Sequence, residues 1–210
     1  PLHLDATGQH LDRLFSHHIA ESPGMSDLLS DTLLKRETED IYHVDFINAA
    51  IWLLSRECIT RVGLFNPAFD HYGEDKEYAD RVRYHGYHVS LAPACHAYHE
   101  RAQGPRTEGL ATRYLLMVNA TVHYRISRIR PGAWFNTASA VSCIVLSKPP
   151  DNVSFMQSIQ MKLYLLGKML LTLPATLRYR KRAYQDTHCF FEEAEFDREC
   201  YAVQKNGIPV

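Results

Sequence analysis

Residues 44–99 read VDFINAAIWLLSRECITRVGLFNPAFDHYGEDKEYADRVRYHGYHVSLAPACHAYH. The stretch opens with a nearly unbroken apolar run, 44–54, of the kind carried by a strand or close-packed segment buried on both faces. Residues 56–62 have the length and spacing of a short helix, and Gly63 supplies its stop. Residues 64–72 contain Pro67 and several aromatic rings and read as a loop. Helical spacing returns over 75–85, with Tyr78, Val82 and His85 on one side and charges on another, and Gly86 ends it. Residues 87–92 alternate as a short strand does, closed by Pro93. The order strand, helix, loop, helix, strand points to an α/β fold.

Outward from this core the chain changes character. Upstream, Leu11, Leu14 and Phe15 have helical spacing, as do Leu28, Leu29 and Leu33. Ser22-Pro23-Gly24 signals a turn between these two segments, and Ser26 or Asp27 is a candidate cap for the second. Downstream, 104–109 reads as a loop and 110–129 as a long helix, broken at Arg130-Pro131-Gly132. A second apolar segment covers 133–147, and Pro149-Pro150-Asp151-Asn152 forms a turn. Residues 155–184 make one helix or two, with Pro174 as a kink or boundary. The chain therefore divides into an α/β part, 1–104, and a mainly helical extension, 105–210.

The composition, 46% apolar and 22% charged over 210 residues, is that of a globular chain with a real core. With 23 Lys and Arg against 24 Asp and Glu, the overall charge gives no reason to expect a nucleic-acid partner. The five cysteines are odd in number and lack CxxC spacing. They read as reduced thiols of a cytoplasmic protein and not as a disulfide framework or zinc ribbon. No apolar run reaches the roughly 20 residues that span a bilayer. The first residues show no signal peptide and no initiator Met, so the chain reads as a piece of a longer protein.

The chemistry-bearing unit is Gly73-Glu74-Asp75 at a loop-to-helix junction, followed by Arg81 and Gly86. Two acids there suit the free N–H groups and positive dipole end of a helix N-terminus, and an isolated pair would be no more than first-turn acids. Their neighbours add meaning. In order come Ala49-Ala50, Arg56, Gly63-Leu64-Phe65, Phe69, Tyr72, Glu74-Asp75, Arg81, Gly86, Pro93 and His99. This succession, over 56 of the 210 residues, resembles the acceptor-side half of family 2 glycosyltransferases of the GT-A fold. In that family a small-residue pair, usually Gly-Ala, precedes an apolar strand and a basic residue. A GxFdxxF segment, Tyr-x-Glu-Asp, an Arg, a Gly and a Pro ahead of a His follow.

The resemblance implies a partial GT-A (nucleotide-diphospho-sugar transferase) fold with a mixed sheet. It also implies inverting transfer of a sugar from a nucleotide-sugar donor to a hydroxyl of a glycan or glycolipid acceptor, as in polysaccharide biosynthesis. Asp75 would be the catalytic base, and Glu74 would orient the acceptor or hold the loop. Arg81 would pair with the acid loop through its two-pronged guanidinium. Phe65, Phe69 and Tyr72 are candidate acceptor-stacking rings that read at least as well as core, and Trp52, also a candidate at the acceptor, reads first as core. Ala49 and Ala50 would lie at the donor, although Ala49 replaces the usual Gly. His99 matches the position of a ligand for a divalent cation, Mg or Mn. No DxD donor motif occurs in the 210 residues. The donor half is expected before Pro1, and this stretch alone is not expected to turn over.

Other features carry weaker expectations. His96-x-x-His99 has a spacing seen in zinc sites, but no Cys or carboxylate completes a set. Residues 162–182 join an apolar stretch to the basic run RYRKR, a candidate for peripheral contact at the inner membrane surface or, equally, a core helix with a solvated end. Unpaired sheet edges in a half-domain invite self-association. A non-catalytic binding or membrane-surface domain derived from a transferase is the alternative reading.

Overall fold

The computed structural model describes residues 23–37, 39–47, 51–69, 72–95 and 109–185. They form a mixed α/β arrangement that is mostly helical: α1 (Pro23–Leu33), β1 (Tyr42–Val44), α2 (Arg56–Val62), α3 (Glu74–Tyr84), β2 (Val89–Leu91), α4 (Leu110–Ser127), α5 (Ala133–Leu146) and α6 (Phe155–Ala183). The expected helix around Leu11 to Phe15 and the 104/105 boundary lie outside the described residues.

The mixed sheet is corrected. Among the described residues the only sheet is an antiparallel pair, with Tyr42 opposite Leu91 and Val44 opposite Val89. The expected strand over 44–54 keeps its ladder only as far as Val44. Further on, Ile51 and Leu53 are exposed while Trp52 and Leu54 are half-buried. That alternation belongs to an extended segment, but no neighbouring strand among the described residues offers it N–H and C=O partners. A ladder needs both sides.

Helix starts follow local chemistry. Ser55 caps α2, its hydroxyl accepting from the Cys58 N–H at 3.0 Å. Gly63 ends α2 with φ of 83°. Ser154 and Gln157 form a reciprocal capping box at the start of α6. The expected cap of α1 at Ser26 or Asp27 is corrected. Pro23 begins that helix, its fixed φ and missing N–H being harmless in a first turn. Pro174 lies inside α6, which runs from Phe155 to Ala183 as one element.

Two cores result. One gathers Cys58, Val62, Tyr78 and Val82, with Trp52 and Leu54 against it. Burial pushes the Cys58 thiol upward in pKa. The other fills the space between α4, α5 and α6 with Val122, Ile126, Ala140, Ile144, Leu165 and Met169. Between them, the Tyr124 hydroxyl donates to Asp80 at 2.6 Å, His85 meets the Ala183 carbonyl at 3.1 Å, and the Tyr84 and Tyr184 rings meet edge to face. No helix of the described residues is long and apolar enough to cross a membrane.

Candidate active site

The loop before α3 is built from unusual backbone. Tyr72 has φ of 68° and Gly73 of 88°. A non-glycine residue in the left-handed region is uncommon and costs on the order of 1 kcal/mol or more. Gly73 is needed for a second reason. A Cβ there would sit 3.2 Å from the Phe69 ring and 3.4 Å from the Ala120 carbonyl of α4. The chain thus turns sharply between Phe69 below and α4 beside it, and enters α3 at Glu74.

Gly73 offers no side chain to cap α3, and Glu74, Asp75 and Glu77 crowd its first turn. The dipole end of the helix stabilises their negative charge. Asp75 is half-buried and its Oδ1 accepts from the Lys76 N–H at 2.7 Å. Glu74 is also half-buried, and its Oε2, shielded from solvent, has no hydrogen-bond partner among the described residues. A shielded carboxylate oxygen without a donor is costly. It is the one feature of the loop that calls for a polar group from outside. The Lys76 ammonium lies 5.2 Å from the Tyr124 ring centre.

Beneath the loop lies a buried polar network. Arg81 is fully buried and forks onto Glu77, Nη2 to Oε2 at 3.0 Å and Nε to Oε1 at 3.3 Å. It also donates to the carbonyls of Val62 at 2.6 Å and Leu64 at 2.8 Å. Asn66, equally buried, donates to Glu77 Oε1 at 3.4 Å and accepts from the Ala68 N–H. The Tyr78 hydroxyl donates to the Gly63 carbonyl. Arg81 thus forms its ion pair with Glu77, where Glu74 or Asp75 was expected, and its guanidinium lies inside the scaffold beneath the acid loop. Glu77 is one turn away on the same face, at hydrogen-bond distance.

Of the remaining candidates, Tyr72 is exposed at the loop and Phe69 lies under it, its ring 6.1 Å from that of His123. Trp52 is set in an aromatic group with Phe65 at 5.9 Å and Tyr78 at 5.8 Å, its Nε1 buried without a partner among the described residues. Ala49, Ala50 and His99 lie outside the described residues. No cluster of three metal-ligating side chains forms among those described. Glu77 and Asn66 were missed by sequence reading; the i to i+4 spacing of Glu77 and Arg81 is the signal that could have found the first.

A separate cleft of about 410 Å³ opens between α1, the strand pair and Arg83, and contains none of these residues. Among the described residues its one cation, Arg83, is already engaged. Arg83 pairs with Asp45 and Asp80, and Tyr42 donates to Asp31. Burial works against the Arg83 charge, yet the hydrogen bond and charge of Asp80, with those of Asp45, raise its pKa. The acid loop, with an unsatisfied carboxylate, is the better candidate for chemistry. Comparison with family models, curated proteins and solved structures returns no match for this chain.

Proposed function

We propose that the chain is the acceptor-side part of an inverting, nucleotide-sugar-dependent glycosyltransferase of the family 2, GT-A type. The observation that carries this reading is the Glu74-Asp75 pair, set on a left-handed loop at an uncapped helix start and buttressed by the buried Arg81–Glu77 pair. In such a transfer the acceptor hydroxyl attacks the anomeric carbon as the bond to the nucleoside diphosphate breaks. The diphosphate leaves with the bonding electrons, and the hydroxyl proton must go to a base. Asp75 takes that proton. Glu74, with a bare oxygen, accepts a hydrogen bond from a second acceptor hydroxyl and so orients it. A divalent cation neutralises charge on the leaving diphosphate in the metal-dependent members that the sequence resembles. The described residues hold no cluster that fits one, so no step is assigned to it.

The test is Asp75→Asn in the complete protein, assayed with a panel of nucleoside diphosphate sugars. Transfer falls by about 10²- to 10⁴-fold, while donor affinity by calorimetry is unchanged. Transfer that survives the substitution removes Asp75 as the base. A complete protein that binds no sugar nucleotide at all would instead be a non-catalytic relative.

A further inference from the structure

Residues 109–185 carry eleven Lys and Arg and a single carboxylate, Asp151, a net charge of +10. The rest of the chain carries −11, and only their sum gives the near-neutral −1 of the whole. The near-balance of the whole chain hides a strongly cationic helical unit.

This unit also lacks the usual polar exterior. Helix α5, AWFNTASAVSCIVL, has no charged residue. It and α6 lie side by side, both against α4, and Lys162 of α6 reaches the Val145 carbonyl at the end of α5. Both helices turn apolar side chains to solvent. Trp134, Phe135 and Leu146 of α5 and Leu163, Leu170 and Leu171 of α6 are between 57% and 85% exposed. A surface helix of a globular protein ordinarily shows charges there. On α6 the outward side stays uncharged until Arg178. Lys181 then falls about five whole turns beyond Leu163, on the same side, and Arg178, Lys181 and Arg182 are all exposed.

We propose that the outward face of α5 and α6 docks on an anionic lipid bilayer, lying in its interface without crossing it. The proposal does not rest on the transferase reading. Apolar side chains enter the boundary between headgroups and acyl chains, and the basic end of α6 meets lipid phosphates. Trp134 and Tyr164, exposed and amphipathic, suit that depth. A second copy of the chain is the poorer occupant, since it would bring a second unit of charge +10 against the first.

The complete chain is mixed with vesicles of phosphatidylcholine, with and without phosphatidylglycerol, and floated on a density gradient. It rises with the anionic vesicles and much less with the neutral ones, and added salt weakens the binding. Trp134 emission shifts to the blue on binding, and Trp134→Phe removes the shift. Leu163→Asp with Leu171→Asp lowers partitioning at least ten-fold with an unchanged melting temperature. Lys181→Gln and Arg182→Gln, which leave the apolar face intact, each lower it about five-fold. Failure to rise with anionic vesicles at low salt overturns the proposal, as does equal binding to neutral ones. So does a stable dimer dispersed by Leu163→Asp, or retention on a nucleic-acid duplex without vesicle binding.

Discussion

Arg81 has no exposed surface and supports the loop from inside. Its guanidinium ties Glu77 to the ends of two peptide segments, the carbonyls of Val62 and Leu64. Removing it leaves the Glu77 carboxylate buried, with Asn66 at 3.4 Å. Arg81→Met is expected to cost about 3–5 kcal/mol in urea unfolding, the usual result of breaking one side of a buried pair. Arg81→Lys should recover little, because an ammonium cannot reproduce the planar fork. Replacing both residues, as Arg81→Met with Glu77→Leu, should regain part of the loss. A single-variant loss under about 1 kcal/mol would show that the network does not hold the loop. At this scale sequence reading located the right helix turn and named Glu74, Asp75 and Arg81, but misjudged which acid Arg81 meets. Four acids, Glu74, Asp75, Glu77 and Asp80, stand within seven residues of it, and Glu77 is the one buried with it, a turn away on the same face.

At the scale of elements, α1 depends on one close approach. A Cβ at Gly24 would lie 1.9 Å from the His43 carbonyl oxygen, a distance no real contact tolerates. Gly24→Ala must push α1 off β1 and break the seat in which Tyr42 donates to Asp31. A destabilisation of about 1–3 kcal/mol is expected, with faster amide exchange at Tyr42 and Val44 than elsewhere in the chain. Unchanged exchange there would mean that α1 shifts as a body at no cost.

Elements with a strong local signature were legible: α2 between Ser55 and Gly63, α3 up to Gly86, and α4 up to the Arg130-Pro131 break. The apolar run over 44–54 misled on both counts, since Ile51 and Leu53 are exposed and no strand pairs beyond Val44 among the described residues. At Pro174 the choice between one helix and two was open in the sequence, and the structure has one. Met169 precedes it, Thr176 and Ala183 follow it, and all three are buried, so packing holds both sides in one helix. Tertiary packing there outweighs a local penalty of about 3 kcal/mol.

For the molecule as a whole, the same 51–54 segment has a consequence. Ile51 and Leu53 stand exposed on a segment with no ladder partner among the described residues, with Leu64 and Phe65 also exposed on the chain. Unpaired extended backbone bearing apolar side chains is a template for another chain. The isolated 210-residue chain should therefore associate with itself, as a dimer or larger by light scattering, and Leu53→Asp should shift it toward monomer. A wild-type chain monomeric at every concentration would count against this.

The charge division between the two parts was present in the sequence throughout. Totals over the whole chain concealed it, since opposite excesses of nearly equal size cancel. The contacts that join the two cores, from Asp80 to Tyr124 and from His85 to Ala183, could not be read in advance, because they link positions 44 and 98 residues apart.

One of those long reaches bears on how the chain is made. Arg180, near the end of α6, donates to the carbonyls of Arg128 and Ile129 at 2.9 and 2.8 Å, finishing the bend between α4 and α5 from more than fifty residues away. During synthesis these carbonyls emerge first and the guanidinium last. The helical hairpin stays unlatched until nearly all of α6 has left the ribosome. Nascent chains stalled before Arg180 leaves the ribosome are therefore expected to be cut by protease in the α4–α5 bend, and chains stalled after it to resist.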